Sequence, residues 1–203
     1  ELPHEQALSF IRMAQQQSVR MQRLVDDLLT LSALETDTPM PEEPVDMRNL
    51  LDIVLIEANA LSGGRHKVTL DAAGETGELS GCARDLRSAL GNLASNAVRY
   101  TPDGGSVRLR WRIVDGCGEF SVEDDGIGID AQHIPRLTER FYRVDRGRSR
   151  ETGGTGLGLA IVKHVLERHQ ATLQIDSQPG KGSCFTVRFP VRRTLIKAGG
   201  VAA

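Results

Sequence analysis

The amino-acid sequence predicts an α+β domain in which helices cover one face of a largely antiparallel sheet, with a long helix in front of it. In one stretch four apolar residues alternate with three arginines: Val107, Leu109, Trp111 and Ile113. A period of two is typical of a strand with one buried and one wet face. Segments with helical periodicity lie on both sides of this stretch, which favours a two-layer α/β sandwich.

The long helix is predicted over residues 5–36, which contain no Gly or Pro. Its apolar residues follow one another at alternating steps of three and four, the spacing of a coiled-coil seam. Such a helix cannot bury its stripe against itself, so it needs a partner. We interpret it as one half of a self-associating hairpin whose first helix is missing. The alternative is a helix packed on its own domain.

A domain boundary is predicted directly after this helix. Three prolines within residues 37–44 stop any helix and make a stiff, polar linker, to which we assign residues 37–45. The sandwich is assigned to residues 46–190. Residues 191–203 give little signal and are predicted to form a tail.

Periodicity within residues 46–190 predicts the elements of the sandwich. Three helices are expected, over residues 46–61, 85–100 and 157–169. A short strand over residues 67–71 is followed by two hairpins. The first hairpin turns at Asp115-Gly116, a pair typical of tight turns, and the second turns at residues 179–182.

Bulk composition excludes several classes of function. A formal net charge of −2 argues against a polycation built for nucleic acid. The three cysteines are odd in number and lack Cys-x-x-Cys spacing, which argues against a disulfide framework and a zinc site, and for a reducing compartment. No apolar run approaches the ~20 residues that span a bilayer. Because the chain starts without an initiator Met, we expect a fragment of a longer protein.

An acidic residue at the end of a strand is the first candidate for a binding site. The alternation that turns Phe120 and Val122 inward also turns Asp124 inward, where a carboxylate needs hydrogen-bond donors. Gly126 and Gly128 follow it and allow the backbone to pass close to a ligand. This arrangement suits a planar ligand with an exocyclic amino group, such as adenine. The alternative is a strand that ends in an ordinary Asp-Gly turn.

Two asparagines on the helix over residues 85–100 form a second candidate. Asn92 and Asn96 are four residues apart and therefore share a face. Their amide oxygens suit a hard cation such as Mg²⁺. Arg99 and Tyr100 end the same helix, where they are placed to meet phosphate and to stack on a base. The alternative is a helix with its polar residues in solvent.

Residues 152–159 form a glycine-rich loop that runs straight into a helix, and helix N-termini bind phosphate. The loop matches neither the dinucleotide fingerprint nor the Walker pattern. Before it lies a stretch with six arginines: Arg136, Arg140, Arg143, Arg146, Arg148 and Arg150. Their charge suits a lid that closes over a polyphosphate. Binding of single-stranded nucleic acid is the alternative, which the balanced overall charge disfavours.

The order and spacing of these motifs resemble those of bacterial sensor histidine kinases, from about residue 6 to residue 190. Four stretches are similar to the N box, the first glycine box, the F box and the second glycine box of that family: residues 92–97, 124–128, 139–143 and 154–158. The stretch over residues 135–145 is similar to the phosphate-regulon sensor kinases in particular.

This resemblance implies the ATP-binding sandwich shared with gyrase, Hsp90 and MutL, with ATP and Mg²⁺ as cofactors. Asp124 would bind the adenine amino group and Asn96 would ligate Mg²⁺. The glycines would shape the lid and the phosphate loop. The predicted nucleotide site comprises Asn92, Asn96, Arg99, Tyr100, Asp124, Gly126, Gly128, Ile129, Phe141, Arg143, Gly154, Thr155, Gly156, Leu157 and Gly158.

The resemblance also implies what the whole protein does. It would transfer the ATP γ-phosphoryl group to a histidine outside this fragment, for relay to an aspartate of a response regulator in phosphate sensing. Residues 1–36 would be the second helix of a dimerisation hairpin. The full-length protein is expected to be a homodimer anchored in the bacterial inner membrane, with this part in the cytoplasm and no nucleic-acid partner.

The sequence departs from the family pattern in two places. Asp125 stands where Asn is common, and we expect little consequence. The His-Glu-Leu-Arg-Thr-Pro box is missing, since the residues after His4-Glu5 do not continue it, so we expect no autophosphorylation. His164 and His169 are interpreted as packing or capping residues.

Three other functions remain open at this point. The chain could be a related ATPase or an anti-sigma-factor serine kinase with the same pocket. It could also be a module that holds nucleotide or a partner without catalysis. In the related ATPases a Glu at the position of Asn92 activates water. An amide cannot act as that base, so slow ATP hydrolysis is expected.

Overall fold

The structure, a computed structural model, describes residues 4–36, 41–72, 77–144 and 154–195. Its helices are α1 (His4–Glu35), α2 (Met47–Ser62), α3 (Ala83–Tyr100) and α4 (Gly158–Arg168). Its strands are β1 (Glu43–Asp46), β2 (Lys67–Asp71), β3 (Glu78–Gly81), β4 (Ser106–Val114), β5 (Cys117–Asp124), β6 (Thr172–Gln178), β7 (Gly182–Phe189) and β8 (Thr194–Leu195). Within these ranges, no helix is both long enough and apolar enough to cross a membrane.

The large sheet has five strands in the order β2-β4-β5-β7-β6. All its pairs are antiparallel except β2 with β4, so the prediction of a largely antiparallel sheet is confirmed. The β4–β5 hairpin turns at Asp115 and Gly116, whose φ angles of 51° and 76° are those of a tight hairpin turn. One face of β4 is buried, as its alternation predicts, and carries Trp111, which packs on Phe189 at a ring-centroid distance of 6.3 Å.

Three helices cover the buried face of this sheet with their apolar sides. The first of them, α2, begins after Asp46, whose carboxylate accepts a hydrogen bond from the Asn49 N–H at 3.2 Å. It ends at Gly63, in the left-handed conformation that favours glycine (φ 58°). Leu86, Leu90 and Leu93 form the buried side of α3, and their spacing of three to four residues predicts this face. The predicted two-layer α/β sandwich is therefore confirmed.

The sandwich domain extends beyond the predicted range of residues 46–190 at both ends. β1 begins inside the predicted linker 37–45, and β8 lies inside the predicted tail 191–203; both pair with β3 in a second, three-stranded sheet. The Arg193 side chain is buried, donates to the Ser80 carbonyl oxygen at 3.2 Å and pairs with Glu42 at 2.8 Å. Strands of two to four residues carry too little alternation to be predicted, and their pairing is set by distant segments.

Among the described side chains of the long helix α1, those buried against the sandwich lie in its C-terminal part. Leu31 and Leu34 are 2% and 7% exposed, whereas the apolar residues nearer its N-terminus, such as Ile11 and Met21, are 62% and 67% exposed. Glu35 forms an ion pair with Arg140, and its Oε1 atom lies 3.7 Å from His164 Nε2. The helix thus packs on its own domain at one end, as the alternative interpretation holds. Its role in a dimerisation hairpin stays a prediction for the remaining, exposed stripe.

Candidate functional site

A cavity of about 400 Å³ opens between the C-terminal half of α3, the end of β5, the start of α4 and the side of α1. Most residues of the predicted site line it: Asn92, Asn96, Arg99, Tyr100, Asp124, Gly128, Ile129, Arg143, Gly154, Thr155, Gly156 and Gly158. Three predicted residues do not line it in the described part of the chain: Gly126, Phe141 and Leu157. The topology thus brings motifs that are far apart in sequence to one place.

Asp124 lies at the end of β5 with only 7% of its surface exposed. Its Oδ1 atom accepts a hydrogen bond from the Gly126 N–H at 2.9 Å, and the Ser183 N–H also donates to the carboxylate. Burial raises the pKa of Asp124 to about 6, and these two backbone donors only partly oppose that rise. A carboxylate held in this way can accept a further hydrogen bond from an amino group that enters the cavity.

The two glycines after Asp124 are required by packing. A Cβ atom on Gly128, where φ is 67°, would lie 1.9 Å from the Gln178 carbonyl oxygen at the end of β6. A Cβ atom on Gly126 would lie 2.5 Å from the Tyr100 carbonyl oxygen at the end of α3. Gly126 was predicted as a site residue, but its part is to orient Asp124 through its N–H and to let the loop pass α3.

Asn92, on the asparagine face of α3, lies next to the glycine-rich loop over residues 154–158. The Asn92 side-chain nitrogen donates to the Ser88 carbonyl oxygen at 2.9 Å, and its Oδ1 atom would lie 2.5 Å from a Cβ atom on Gly158. Asn92 Oδ1 therefore faces the first turn of α4. Among the described residues none hydrogen-bonds the half-buried side chain of Asn96, which leaves that amide for a ligand.

The loop over residues 154–158 ends in the first turn of α4, where no side chain caps the helix. Free backbone N–H groups at such a terminus bind anions. Leu157 is fully buried in the core, so its side chain cannot reach a ligand and only its backbone belongs to the loop. Its N–H donates to Thr155 Oγ1 at 3.3 Å, which fixes the threonine hydroxyl at the cavity wall.

The F-box-like stretch places a different aromatic ring at the cavity than the one predicted. Phe141 has a left-handed backbone (φ 61°), its N–H donates to the Gly156 carbonyl oxygen at 2.9 Å, and its side chain is 59% exposed. Its backbone joins the F-box-like stretch to the glycine-rich loop over residues 154–158. The neighbouring Tyr142 lines the cavity instead, with its hydroxyl 2.7 Å from His133 Nδ1 and its ring 4.3 Å from the Arg136 guanidinium carbon. Arg146, Arg148 and Arg150 of the predicted lid lie outside the described residues.

Two residues of α1, Arg23 and Asp27, also line the cavity, although neither belongs to the predicted site. They lie close enough to Arg99 of α3 for their charges to act on its guanidinium group. Asp27 Oδ2 accepts a hydrogen bond from Thr155 Oγ1 at 2.6 Å, although the two residues are 128 positions apart. Burial raises the pKa of Asp27, while the bond from Thr155 and the nearby Arg99 oppose that rise. No local pattern on an amphipathic helix identifies such a contact, because it depends on how the helix packs.

The remaining lining residues are mostly apolar or backbone contributors: Ala97, Thr101, Pro102, Ile127, Leu137, Val144, Leu159, Ser183 and Phe185. Most of them add carbon-rich surface to the cavity that Asp124 also lines, which suits the face of a planar ring. In the sequence they are indistinguishable from ordinary core positions, so no signal points to them.

Comparison with known proteins identifies the kind of domain that carries this cavity. A sequence profile described as "Histidine kinase-, DNA gyrase B-, and HSP90-like ATPase" matches residues 81–193. The chain belongs to this ATPase family. All four motifs quoted for the resemblance lie within the matched residues, and the prediction of the family is confirmed.

Full-length relatives indicate which kind of histidine kinase the chain resembles. The chain is 54% identical, over 184 residues, to the phosphate regulon sensor protein PhoR of Pseudomonas aeruginosa, covering 90% of the chain and 41% of that protein. The chain therefore spans less than half the length of this relative. The predicted resemblance to phosphate-regulon sensor kinases is confirmed.

Solved structures of histidine kinases share the fold. Full-length ShkA in complex with AMPPNP has a TM-score of 0.79 at 26% identity, covering 97% of the chain and 41% of that protein. The mycobacterial sensor histidine kinase MprB has a TM-score of 0.64 at 30% identity, covering 73% of the chain and 97% of the MprB structure. The expected fold of the ATPase family is thus confirmed at the level of architecture.

Two polar side chains near the predicted motifs, Asp125 and His169, have structural roles and do not line the cavity. Asp125 accepts hydrogen bonds from the Ser106 N–H at 2.8 Å and the Ser106 hydroxyl at 2.7 Å, and these bonds lower its pKa. It holds the start of β4 and does not line the cavity. His169 is buried, with Nδ1 2.8 Å from the Val165 carbonyl oxygen and Nε2 accepting from the Cys82 N–H, as expected of a packing residue.

Proposed function

We propose that this chain binds ATP in the cavity and serves as the catalytic part of a sensor histidine kinase. The observation that carries the proposal is the buried carboxylate of Asp124, which faces the same cavity as the uncapped first turn of α4. The first group accepts a hydrogen bond from an amino group and the second binds an anion. A ligand that satisfies both has an aminated ring at one end and phosphates at the other.

The residues present fit adenine at one end. Asp124 would accept from the exocyclic amino group, in the charge-assisted manner that shortens and strengthens such bonds. Phe185 and Leu137 offer apolar surface to the ring, and Tyr100 is exposed enough to stack on it. At the other end, the N–H groups of residues 154–158 and the guanidinium groups of Arg99 and Arg143 would balance the phosphate charge.

Mg²⁺ is proposed to bind with the nucleotide. Within the described residues no cluster of three His, Cys, Asp or Glu side chains could hold a metal by itself. The cation would therefore depend on oxygens of the phosphates together with the free amide of Asn96, and Asn92 Oδ1 lies one helical turn away on the same face. When bound, Mg²⁺ would neutralise charge that develops during phosphoryl transfer.

The chemistry proposed for this chain is positioning. Phosphoryl transfer needs little covalent help from the protein, provided that the phosphates are held and their charge is balanced. Asn92 faces the loop that would hold the phosphates, and an amide cannot take a proton from water. The chain is therefore expected to protect ATP from hydrolysis until a histidine from elsewhere in the protein reaches it.

The remaining parts of the proposal concern the whole protein. The relative named as a phosphate regulon sensor supports transfer to a response regulator that controls the use of phosphate. The exposed apolar stripe on α1 supports a homodimer formed with a second helix. We place this chain on the cytoplasmic side of the inner membrane, in a protein anchored outside these residues.

Calorimetric titration with ADP and ATP, with and without Mg²⁺, tests the proposal. Asp124→Asn should weaken binding ~10- to 100-fold, because a hydrogen bond to a charged group contributes about 1.5–3 kcal/mol. Asp125→Asn is the matched control, since it makes the same change one residue away, outside the cavity, and should alter affinity less than ~3-fold. A chain that binds neither nucleotide, or two variants with the same affinity, would contradict the proposal.

Incubation with radiolabelled ATP tests the expected lack of autophosphorylation. Radioactive phosphate on the chain itself would contradict that expectation.

A further inference from the structure

One acidic residue of α1 interrupts the otherwise cationic surroundings of the phosphate loop. Arg23, Arg99 and Arg143 all line the cavity, and Asp27 lies among them. The positive charges of Arg99 and Arg23 act on the Asp27 carboxylate, so Asp27, Arg99 and Arg23 form one electrostatic cluster. Asp27 comes from a helix outside the matched family segment at residues 81–193, and nothing in that family's motifs assigns it a function.

The Asp27 carboxylate uses the one hydrogen that the Thr155 hydroxyl can donate. Thr155 Oγ1 accepts from the Leu157 N–H at 3.3 Å and donates to Asp27 Oδ2 at 2.6 Å. A threonine hydroxyl has a single hydrogen. While α1 is packed here, the hydroxyl cannot donate to a phosphate oxygen at the same loop.

The charge of Asp27 has the same sign as the ligand's phosphates. Two like charges a few ångströms apart repel strongly where water is partly excluded, and burial of Asp27 is what raises its pKa. Each phosphate group added at the loop increases this repulsion. The repulsion by Asp27 is therefore stronger for a nucleoside triphosphate than for a diphosphate, and it is weakest for a nucleoside without phosphates.

We propose that Asp27 is a specificity-determining residue of the nucleotide site, which competes with the terminal phosphate for the Thr155 hydroxyl and disfavours ATP relative to ADP while α1 is packed on the domain. This inference rests on the proposed function. Coupling between two binding events is reciprocal, so ATP must loosen the packing of α1 more than ADP does. The contact would make the position of α1 sensitive to the nucleotide bound.

The chain offers a close control for the test. Asp27→Asn keeps the shape of the side chain and an oxygen that accepts from Thr155, but removes the charge. Asp26→Asn makes the same change on the neighbouring residue, which is exposed and lies outside the cavity. Asp27→Ser serves as a second variant, and thermal unfolding confirms that each protein is folded before titration.

Calorimetry with ADP and with a non-hydrolysable ATP analogue, both with Mg²⁺, measures the specificity. Asp27→Asn should raise affinity for the analogue on the order of tenfold and affinity for ADP clearly less, while Asp26→Asn changes either less than ~2-fold. Hydrogen exchange of the backbone amides of residues 27–35 gives the second readout. The analogue should speed their exchange more than ADP does in the unaltered chain, and this difference should shrink in Asp27→Asn.

The possible failures are distinguishable. If the unaltered chain binds neither nucleotide, the proposed function fails. If it binds both and neither Asp27→Asn nor Asp27→Ser changes the preference between them, only the present inference is wrong. A loss of analogue affinity in Asp27→Asn that appears only with Mg²⁺ would also overturn the inference, because it would make Asp27 a ligand of the cation.

Discussion

At the scale of single residues, Asp124 shows how a binding group is held at a cost to folding. Its carboxylate is buried beside β7, where two backbone N–H groups do not replace all the lost water. The pKa consequently lies at about 6 in the folded chain, above the ordinary value of 3.8. A raised pKa means that folding favours the protonated form. The stabilisation is fully present below pH 3.8 and is lost as the pH rises through about 6.

This shift predicts how the stability of Asp124→Asn depends on pH. The asparagine has no charge to bury, so the variant should gain stability relative to the unaltered chain as the pH rises. Between pH 4.5 and pH 7.5 the difference in unfolding free energy should move by about 2 kcal/mol in favour of the variant. Urea denaturation at both pH values measures it. A difference that stays constant with pH would show that Asp124 titrates normally.

At the scale of elements, the loop after β5 is held against the β6–β7 hairpin by a backbone contact that only glycine permits. Gly128 combines a left-handed φ of 67° with the 1.9 Å approach of a hypothetical Cβ atom to the Gln178 carbonyl oxygen. Gly180 in the adjoining turn has a similar φ of 77° and open space around it. Comparison of these two positions therefore distinguishes the cost of a left-handed backbone from the cost of a steric collision.

Replacement of each glycine by alanine should therefore have different effects. Gly180→Ala carries only the strain of a left-handed residue and should cost about 1 kcal/mol of unfolding free energy. Gly128→Ala adds a collision with the backbone and should cost about 2–4 kcal/mol. It should also weaken nucleotide binding, because the loop borders the cavity. Chemical denaturation measures the unfolding free energy of both variants. Equal losses of unfolding free energy would mean that the loop shifts to accommodate the Cβ atom at little cost.

Elements also show which parts of the fold a sequence reveals. Alternation along β4 and β5 identifies both strands and their buried face, because nine and eight residues give several repeats. Strands β1 and β8 have only four and two residues, and β1 lies within a proline-rich stretch. Their pairing with β3 therefore cannot be predicted from the sequence.

For the candidate site, the sequence motifs indicate Asp124, Asn92 and the glycine-rich loop over residues 154–158. Arg23 and Asp27 stay hidden because the packing of α1 alone brings them to the cavity.

At the scale of the whole molecule, the small sheet is fastened to the large one by a buried threonine. Thr194 on β8 accepts a hydrogen bond from the Gly118 N–H of β5 at 2.8 Å, and both residues are buried. The Thr194 hydroxyl is also 3.3 Å from the Pro190 carbonyl oxygen, which it can donate to. Residues 190–195, the described residues after β7, are thereby a structural part of the domain.

Substitution at Thr194 tests this connection. Thr194→Val keeps the shape of the side chain but leaves the Gly118 N–H without an acceptor, which should cost about 1–3 kcal/mol of unfolding free energy. Thr194→Ser retains the hydroxyl and loses one methyl group, about 0.8 kcal/mol. Denaturation curves of both variants decide the matter. A valine variant as stable as the unaltered chain would mean that water or another group satisfies the Gly118 N–H.

The single tryptophan of the chain has a practical consequence. Trp111 is 1% exposed, its ring packs closely over Gly118, and it lies outside the cavity formed by the described residues. Its fluorescence therefore reports the integrity of the large sheet and is insensitive to direct contact with a ligand. A nucleotide would change the signal only by shifting the midpoint of unfolding through preferential binding to the folded chain. The optical signal thus offers an affinity measurement that is independent of calorimetry.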